Sequence, residues 1–200
     1  MRIIGITGGV GAGKSEVLDY LARAYEATVV QADEVGYLLM RPGTEVYRKI
    51  LEQFSSAVLK DKSQELDRQV LADLVYTDAR LKKKLEQIVH PAVKEYIKKD
   101  ILKERQAETE VYVIEAALLL EDHYEEICDE IWYIYAEEEV RRERLHRERG
   151  YTNERINQIF AQQLSEEEFS EGCDFEVDNS GTLEETQKQI DRRMQQYEIM

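Results

Sequence analysis

The chain has 200 residues, 42% of them hydrophobic and 34% charged, which is typical of a globular protein large enough to bury a core. Its formal net charge of −15 argues against a nucleic-acid partner, because such a partner requires a basic face. The sequence has no apolar run of about 18 residues and no secretory leader, so we expect no membrane partner and a cytoplasmic location. The two cysteines form no Cys-x-x-Cys spacing, which fits reduced thiols and does not indicate a zinc site.

The acidic charge is unevenly distributed along the chain. Residues 165–200 have eleven acidic and three basic side chains, whereas residues 80–105 have nine basic and four acidic ones. Residues 141–149 have five basic and two acidic side chains. These two basic zones are where an otherwise acidic protein would bind an anionic ligand.

A glycine-rich turn follows the first predicted strand, the apolar run Ile3–Ile6. Residues 8–15 read Gly-Gly-Val-Gly-Ala-Gly-Lys-Ser and match the pattern G-x-x-x-x-G-K-[ST]. Glycines let the backbone curl its N–H groups around a phosphate, and the helix predicted to start near Gly13 adds its positive end. No frame through these glycines gives G-x-G-x-x-G, which excludes a dinucleotide fold. The turn therefore predicts a nucleoside-triphosphate site.

The residues of this phosphate loop have separate expected roles. Lys14 would reach the β- and γ-phosphates, and the Ser15 hydroxyl would ligate Mg²⁺. Glu16 would contribute only its backbone N–H. The residues assigned to the nucleotide in this stretch are Gly8, Gly11, Ala12, Gly13, Lys14, Ser15 and Glu16.

Residues 27–105 read as one short strand followed by helices. The strand over 27–31 ends at Ala32-Asp33, and the turn over 41–44 caps a helix that runs to Phe54. Further helices are predicted over 66–76 and from 79 to 101, with a kink or restart at Pro91. An all-helical stretch from about 37 to 105 is too long for a crossover between strands, so we interpret it as an inserted lobe that binds the substrate, the acceptor of a phosphoryl group.

Strands and helices alternate in the rest of the chain. Strands are predicted over 111–114, 131–135 and 174–178, and the second of these is apolar enough to be buried on both faces. Helices are predicted over 137–149 and 152–164, and a last one from Leu183 to Tyr197. This alternation predicts a parallel sheet covered by helices on both sides.

Besides the phosphate loop, the chain contains a series of short motifs: Ala32-Asp33, Pro42-Gly43-Thr44, Leu66-Asp67-Arg68, the run Leu-Glu-Gln-Ile-Val-His-Pro at 85–91, Leu118-Leu119-Leu120-Glu121, Gln163 and Asp178-Asn179-Ser180-Gly181. Together and in this order, these motifs resemble those of the dephospho-coenzyme A kinases, within the nucleoside-monophosphate-kinase-like group of phosphate-loop proteins. The resemblance runs from residue 1 to about 190.

The resemblance implies a fold and a reaction. The fold would be a three-layer P-loop NTPase fold of the α/β class, with a mostly parallel five-stranded sheet, in a single kinase domain over residues 1–200. A helical acceptor lobe would span about 37–105 and a helical lid about 137–150. The reaction would transfer the γ-phosphoryl of MgATP to the ribose 3′-hydroxyl of dephospho-coenzyme A, by a protein that is a monomer or a weak oligomer.

The resemblance also implies which residues meet the acceptor. Asp33, at the edge where open α/β sheets bind ligands, would orient and deprotonate the acceptor hydroxyl. On its own, the same carboxylate could cap the following helix. Arg68, His90 and Leu118 are assigned to acceptor binding, although a surface charge or a core histidine is an alternative for the first two.

The remaining assignments concern ATP and its metal ion. Asn179 and Gly181 are implied near the adenine ring, and Arg144 would neutralise charge on the transferred phosphoryl group. The spacing of the arginines departs from the family pattern, which leaves Arg147 and Arg149 as alternatives for a second lid arginine. Glu115, where the family more often has aspartate, would support the Mg²⁺ shell together with Ser15.

Two other functions remain open at this point. One is a kinase that acts on another nucleotide or nucleoside. The other is a nucleotide-dependent switch or sensor, since Asp33-x-x-Gly36 imitates a GTPase switch motif, but the guanine motif Asn-Lys-x-Asp is absent.

Overall fold

The computed structural model describes residues 1–60 and 63–197. The strands are β1 (Arg2–Thr7), β2 (Thr28–Gln31), β3 (Val111–Glu115), β4 (Glu130–Tyr135) and β5 (Phe175–Asp178). The α-helices of the described residues are α1 (Lys14–Ala24), α2 (Ala32–Leu39), α3 (Glu45–Phe54), α4 (Arg68–Thr77), α5 (Ala79–Gln106), α6 (Glu138–Arg149), α7 (Asn153–Phe160), α8 (Glu166–Gly172) and α9 (Leu183–Gln195). Among these helices, none has both the length and the apolar character needed to cross a bilayer.

The five strands form one sheet in the order β2-β3-β1-β4-β5. Strand β1 pairs in parallel with β3 and β4, and β4 pairs in parallel with β5. Ile6 is in register with Glu115, and Tyr135 with Asp178, so the carboxyl ends of these strands lie at one edge of the sheet. The predicted α/β fold with a five-stranded, mostly parallel sheet is confirmed.

Both faces of the sheet are covered, as the side chains of β4 illustrate. Successive side chains of a strand point to opposite faces. Trp132 belongs to the core that includes Leu21 of α1 and Ile190 of α9. Its neighbour Tyr133 instead stacks on Phe169 of α8, with ring centroids 4.9 Å apart. The prediction that this strand is buried on both faces is therefore correct.

The chain divides into two compact units. The first unit comprises Met1–Val29 and the chain from Glu104 onward, and it contains the phosphate loop. The second unit, Val30–Lys103, has its own core around Ile50 of α3. There the Thr44 hydroxyl accepts the Tyr47 N–H at 3.1 Å and caps α3, as the turn over 41–44 predicts.

Three local predictions differ from the structure. Helix α5 continues through Pro91, so the predicted restart does not occur, whereas the kink given as its alternative stays a prediction. Asp33 lies in the first turn of α2 and not at a strand end, since β2 ends at Gln31. Helices α2 and α8 are not predicted separately, because α2 has no side-chain cap to mark its start and α8 has only one buried residue, Phe169.

Candidate active site

The phosphate loop leaves β1 after Thr7 and enters α1 at Lys14. Gly8 and Gly13 have φ values of 148° and 87°, in the region that side chains disfavour. A Cβ at Gly8 would lie 2.4 Å from the Ile134 carbonyl oxygen, and one at Gly13 would lie 2.2 Å from the Asn179 amide nitrogen. Both glycines are therefore required by backbone conformation and by space.

Lys14, Ser15 and Glu16 form the first turn of α1. The Lys14 ammonium donates to the Gly8 carbonyl oxygen at 2.7 Å, which folds the side chain back along the loop. Ser15 and Glu16 are exposed at the helix start. The N–H groups and the positive end of the helix dipole at this point favour an anion.

Arg144 and Asn179 meet at the loop from different parts of the sequence. Arg144 Nη1 donates to the Ala12 carbonyl at 3.2 Å, and Nη2 donates to the Asn179 carbonyl at 2.8 Å. The Asn179 side-chain amide also donates to the Ala12 carbonyl, at 2.8 Å, and its oxygen accepts from the Thr186 hydroxyl of α9 at 2.8 Å. Asn179 is only 3% exposed, so its amide is committed to holding the loop.

Two further residues, for which the sequence predicts no role at the loop, also hold it. Arg141 Nε donates to the Val10 carbonyl at 3.0 Å, and Gln163 Oε1 accepts the Val10 N–H at 3.3 Å. Arg141 belongs to the basic zone over residues 141–149, and Gln163 is one of the residues on which the family resemblance rests. Neither could be linked to the loop from spacing, because the contacts span 131 and 153 residues.

The carbonyl groups of Val10 and Ala12 thus face α6 and its arginines. The C=O and N–H of a planar trans peptide point in opposite directions. The N–H groups of Gly11 and Gly13 consequently point away from α6. The hydrogen bonds from the arginines to these carbonyls therefore orient the Gly11 and Gly13 N–H groups toward an anion on the other side of the loop.

Glu115 and Leu118, predicted for the metal ion and the acceptor, lie at the end of β3 and in the turn after it. Glu115 ends that strand next to Ile6 of β1 and is half-buried. Leu118 is exposed in the turn that follows. Within residues 1–60 and 63–197, no cluster of three His, Cys, Asp or Glu side chains could hold a metal ion.

Gly181 is exposed in the turn between β5 and α9. The Asp178 carboxylate accepts the Ser180 N–H at 2.9 Å in this turn. Thr182 then caps α9 with a reciprocal bond to Glu185, so the turn is well defined by local contacts.

The other predicted acceptor residues lie in the second unit. Asp33 is exposed in the first turn of α2, and His90 is half-buried in α5. The Arg68 guanidinium lies 4.2 Å from the centre of the Tyr37 ring. Both side chains line a cavity of about 940 Å³ that Arg41 and Lys60 also border.

The two thiols are not poised for reaction. Burial, with the nearby carboxylates Asp129 and Asp174, raises the pKa of Cys128 to about 12. Burial beside Asp174 likewise raises the pKa of Cys173 to about 12. Both remain protonated near neutral pH, which argues against a cysteine nucleophile.

Comparison with known proteins identifies the family of the chain. Residues 2–185 match the family model described as dephospho-CoA kinase. The dephospho-CoA kinase of Symbiobacterium thermophilum is 34% identical over 96% of this chain and 79% of its own length.

Solved structures also resemble the chain. TT1252 from Thermus thermophilus is 27% identical with a TM-score of 0.78, and the match covers 98% of this chain and 97% of that one. The dephospho-CoA kinase from Campylobacter jejuni shares the fold, with a TM-score of 0.72 at 22% identity over 98% of each chain. Because the family model spans nearly the whole sequence, the chain belongs to the dephospho-CoA kinase family.

Proposed function

We propose that the chain transfers the γ-phosphoryl group of ATP to the ribose 3′-hydroxyl of dephospho-coenzyme A, the last step of coenzyme A biosynthesis. The observation that carries the proposal is the phosphate loop, whose Val10 and Ala12 carbonyls accept hydrogen bonds from Arg141 and Arg144. Family membership makes the chain an enzyme, a kinase, and implies the use of ATP. We expect a cytoplasmic protein that works as a monomer or a weak oligomer.

Residues of the loop and of α6 would bind ATP. Loop N–H groups and the Lys14 ammonium would bind the β- and γ-phosphates. Lys14 would exchange its bond to the Gly8 carbonyl for phosphate oxygens. Arg144 would stabilise the charge on the transferred group, since its guanidinium already lies beside Ala12 and Asn179.

Asn179 and Gly181 would contribute to ATP binding in different ways. The Asn179 amide holds the Ala12 carbonyl and so supports the loop. Gly181, exposed in the next turn, would let the backbone approach the adenine ring.

A Mg²⁺ ion fits the oxygen donors beside the loop. The Ser15 hydroxyl at the start of α1 and the Glu115 carboxylate at the end of β3 would hold it, the latter through water. The ion would neutralise charge on the β- and γ-phosphates.

The acceptor would be bound by the helical lobe over about 37–105, with a lid over about 137–150. Asp33 would accept the proton of the attacking 3′-hydroxyl, a role that suits an exposed carboxylate. Arg68 would bind an acceptor phosphate in the cavity that it lines, and His90 and Leu118 would contact the acceptor.

A panel of acceptors tests this function. Purified protein with MgATP should release ADP with dephospho-coenzyme A, far faster than with AMP, adenosine or water alone. The product should be one phosphate heavier, and a ³¹P spectrum should assign that phosphate to the 3′ position. Lys14→Ala is the matched inactive control, because it lacks a contact to the transferred phosphoryl group.

The alternatives give different results in the same assay. Faster ADP release with AMP or adenosine would identify a kinase for another nucleotide or nucleoside. A stable ATP complex, hydrolysed slowly whichever acceptor is added, would identify a switch or sensor.

A further inference from the structure

We infer that Arg141 is a positioning residue that fixes the backbone of Val10 in the phosphate loop for ATP binding, with Gln163 as its partner. The inference rests on the proposed function, because it concerns the same nucleotide site. It assigns Arg141 no contact with the reacting atoms.

Val10 is held at both of its backbone polar groups, which belong to two successive peptides. Its carbonyl accepts from Arg141 Nε at 3.0 Å, and its N–H donates to Gln163 Oε1 at 3.3 Å. The same glutamine oxygen accepts from Arg141 Nη2 at 2.7 Å. These three groups form a closed hydrogen-bonded ring, so neither side chain can move without releasing the loop.

The guanidinium is itself fixed in place. Its carbon lies 4.2 Å from the centre of the Phe160 ring at the end of α7, and Arg141 is only 9% exposed. On the other side it lies against Gly9, where a Cβ would be 2.4 Å from Nη2. Glycine at position 9 therefore admits the guanidinium to the loop.

Arg141 also brings a buried positive charge to the loop. In the described parts of the chain, none of the ion pairs includes Arg141, and Glu138 and Glu166 act on it only at a distance. Burial lowers its pKa, but a guanidinium remains protonated in proteins. A bound phosphate would supply the countercharge that the described residues do not provide by contact.

The loop needs such a support because Gly8, Gly9, Gly11 and Gly13 give its backbone unusual freedom. Glycine loses more conformational entropy on ordering than any other residue. If the loop is already ordered before ATP binds, the free energy of ATP binding is not reduced by this loss of conformational entropy. Fixing the Val10 carbonyl also directs the next N–H, that of Gly11, away from α6.

Isothermal titration of the full chain with ATP and Mg²⁺ tests the inference. Arg141→Gln and Gln163→Leu should each weaken ATP binding about 10- to 100-fold, as expected for loss of a hydrogen bond to a charged group. Arg155→Gln is the matched control, because this exposed arginine of α7 also lies over an aromatic ring, that of Tyr151. It should stay within twofold of the unmodified chain.

Two conservative variants separate position from charge and from stability. Arg141→Lys keeps the charge but lacks the planar guanidinium that reaches Val10 and Gln163 with two nitrogens and lies over Phe160, so it should bind ATP nearly as weakly as Arg141→Gln. Gln163→Glu keeps the acceptor oxygen but neutralises the Arg141 charge, so it should hold the loop and recover part of the affinity that Gln163→Leu loses. In turnover assays the KM for ATP should rise while the KM for the acceptor stays constant.

Several results would overturn the inference. These are unchanged ATP affinity in Arg141→Gln, full rescue by Arg141→Lys, or an equal loss of acceptor affinity, which would indicate a merely structural role. If Arg141→Gln does not fold, Gln163→Leu against Gln163→Glu decides the question. Failure of the unmodified chain to bind ATP would instead refute the proposed function, which keeps the two tests distinct.

Discussion

Asp33 is the residue on which the proposed chemistry at the acceptor depends. It is exposed in the first turn of α2, next to the equally exposed Glu34. A carboxylate that accepts a proton from the attacking hydroxyl contributes about 10²- to 10⁴-fold to the rate. We expect Asp33→Asn to lower kcat by that factor and to leave the dissociation constant for ATP unchanged, as measured by ADP release and by calorimetry.

Glu34→Gln provides the control for Asp33→Asn, because it removes the same charge from the same helical turn. It should retain full turnover. If Asp33→Asn instead abolished ATP binding, Asp33 would have to be assigned to the metal ion and not to the acceptor.

Helices α1 and α9 are joined by one shared carboxylate. The hydroxyls of Tyr20 and Tyr25 in and after α1 both donate to Asp191 Oδ1 of α9, at 2.6 and 2.7 Å. Burial and this hydrogen bond raise the pKa of Tyr20 to about 12, and they raise the pKa of Tyr25 further. The phosphate loop leads directly into α1, so this contact holds the helix that carries Lys14.

This shared carboxylate predicts a loss of stability in alkali. The unfolded tyrosines titrate near pH 10. Their folded pKa values are higher, so the stabilisation is complete below pH 10 and disappears as pH rises through about 12. We expect urea unfolding between pH 9 and 12 to show a steep fall for the unmodified chain and a shallower one for the Tyr20→Phe/Tyr25→Phe double variant.

Tyr76→Phe is the control for the alkaline titration, since Tyr76 is 85% exposed. It should follow the unmodified chain over the whole pH range. An identical steep fall in the double variant would show that other groups cause the alkaline loss.

At the scale of the whole molecule, the core of the first unit supports the phosphate loop. Ile190 of α9 is fully buried in the cluster that includes Trp132 of β4 and Leu21 of α1. We expect Ile190→Ala to reduce the free energy of unfolding by about 2–5 kcal/mol, through lost burial and the cavity left behind. Urea denaturation measures this change.

Leu183→Ala tests whether burial causes that effect. Leu183 lies in the same helix but is 51% exposed, so its replacement should change the free energy of unfolding by about 0.5 kcal/mol or less. Equal effects of the two replacements would contradict the assignment of Ile190 to the core.

Local sequence determined the strands, most long helices and the phosphate loop. Periods of 2 and 3.6 residues are set by backbone geometry, and Gly8 and Gly13 have φ values that only glycine adopts readily. Two helices were not predicted: α2 has no side-chain cap that would mark its start, and α8 has a single buried residue and therefore no period. The capping box of Ser165 and Glu168 was the signal that could have found α8.

The sequence by itself therefore determined that the chain folds around a phosphate-binding turn, and its ordered motifs predicted the kinase family. Only the tertiary structure decided how that turn is held. Arg141, Gln163 and Asn179 reach Val10 and Ala12 across more than 130 positions, because parallel strand order brings their segments to one sheet edge. The spacing of residues along the chain does not predict such contacts, since they depend on which strands become neighbours in the sheet.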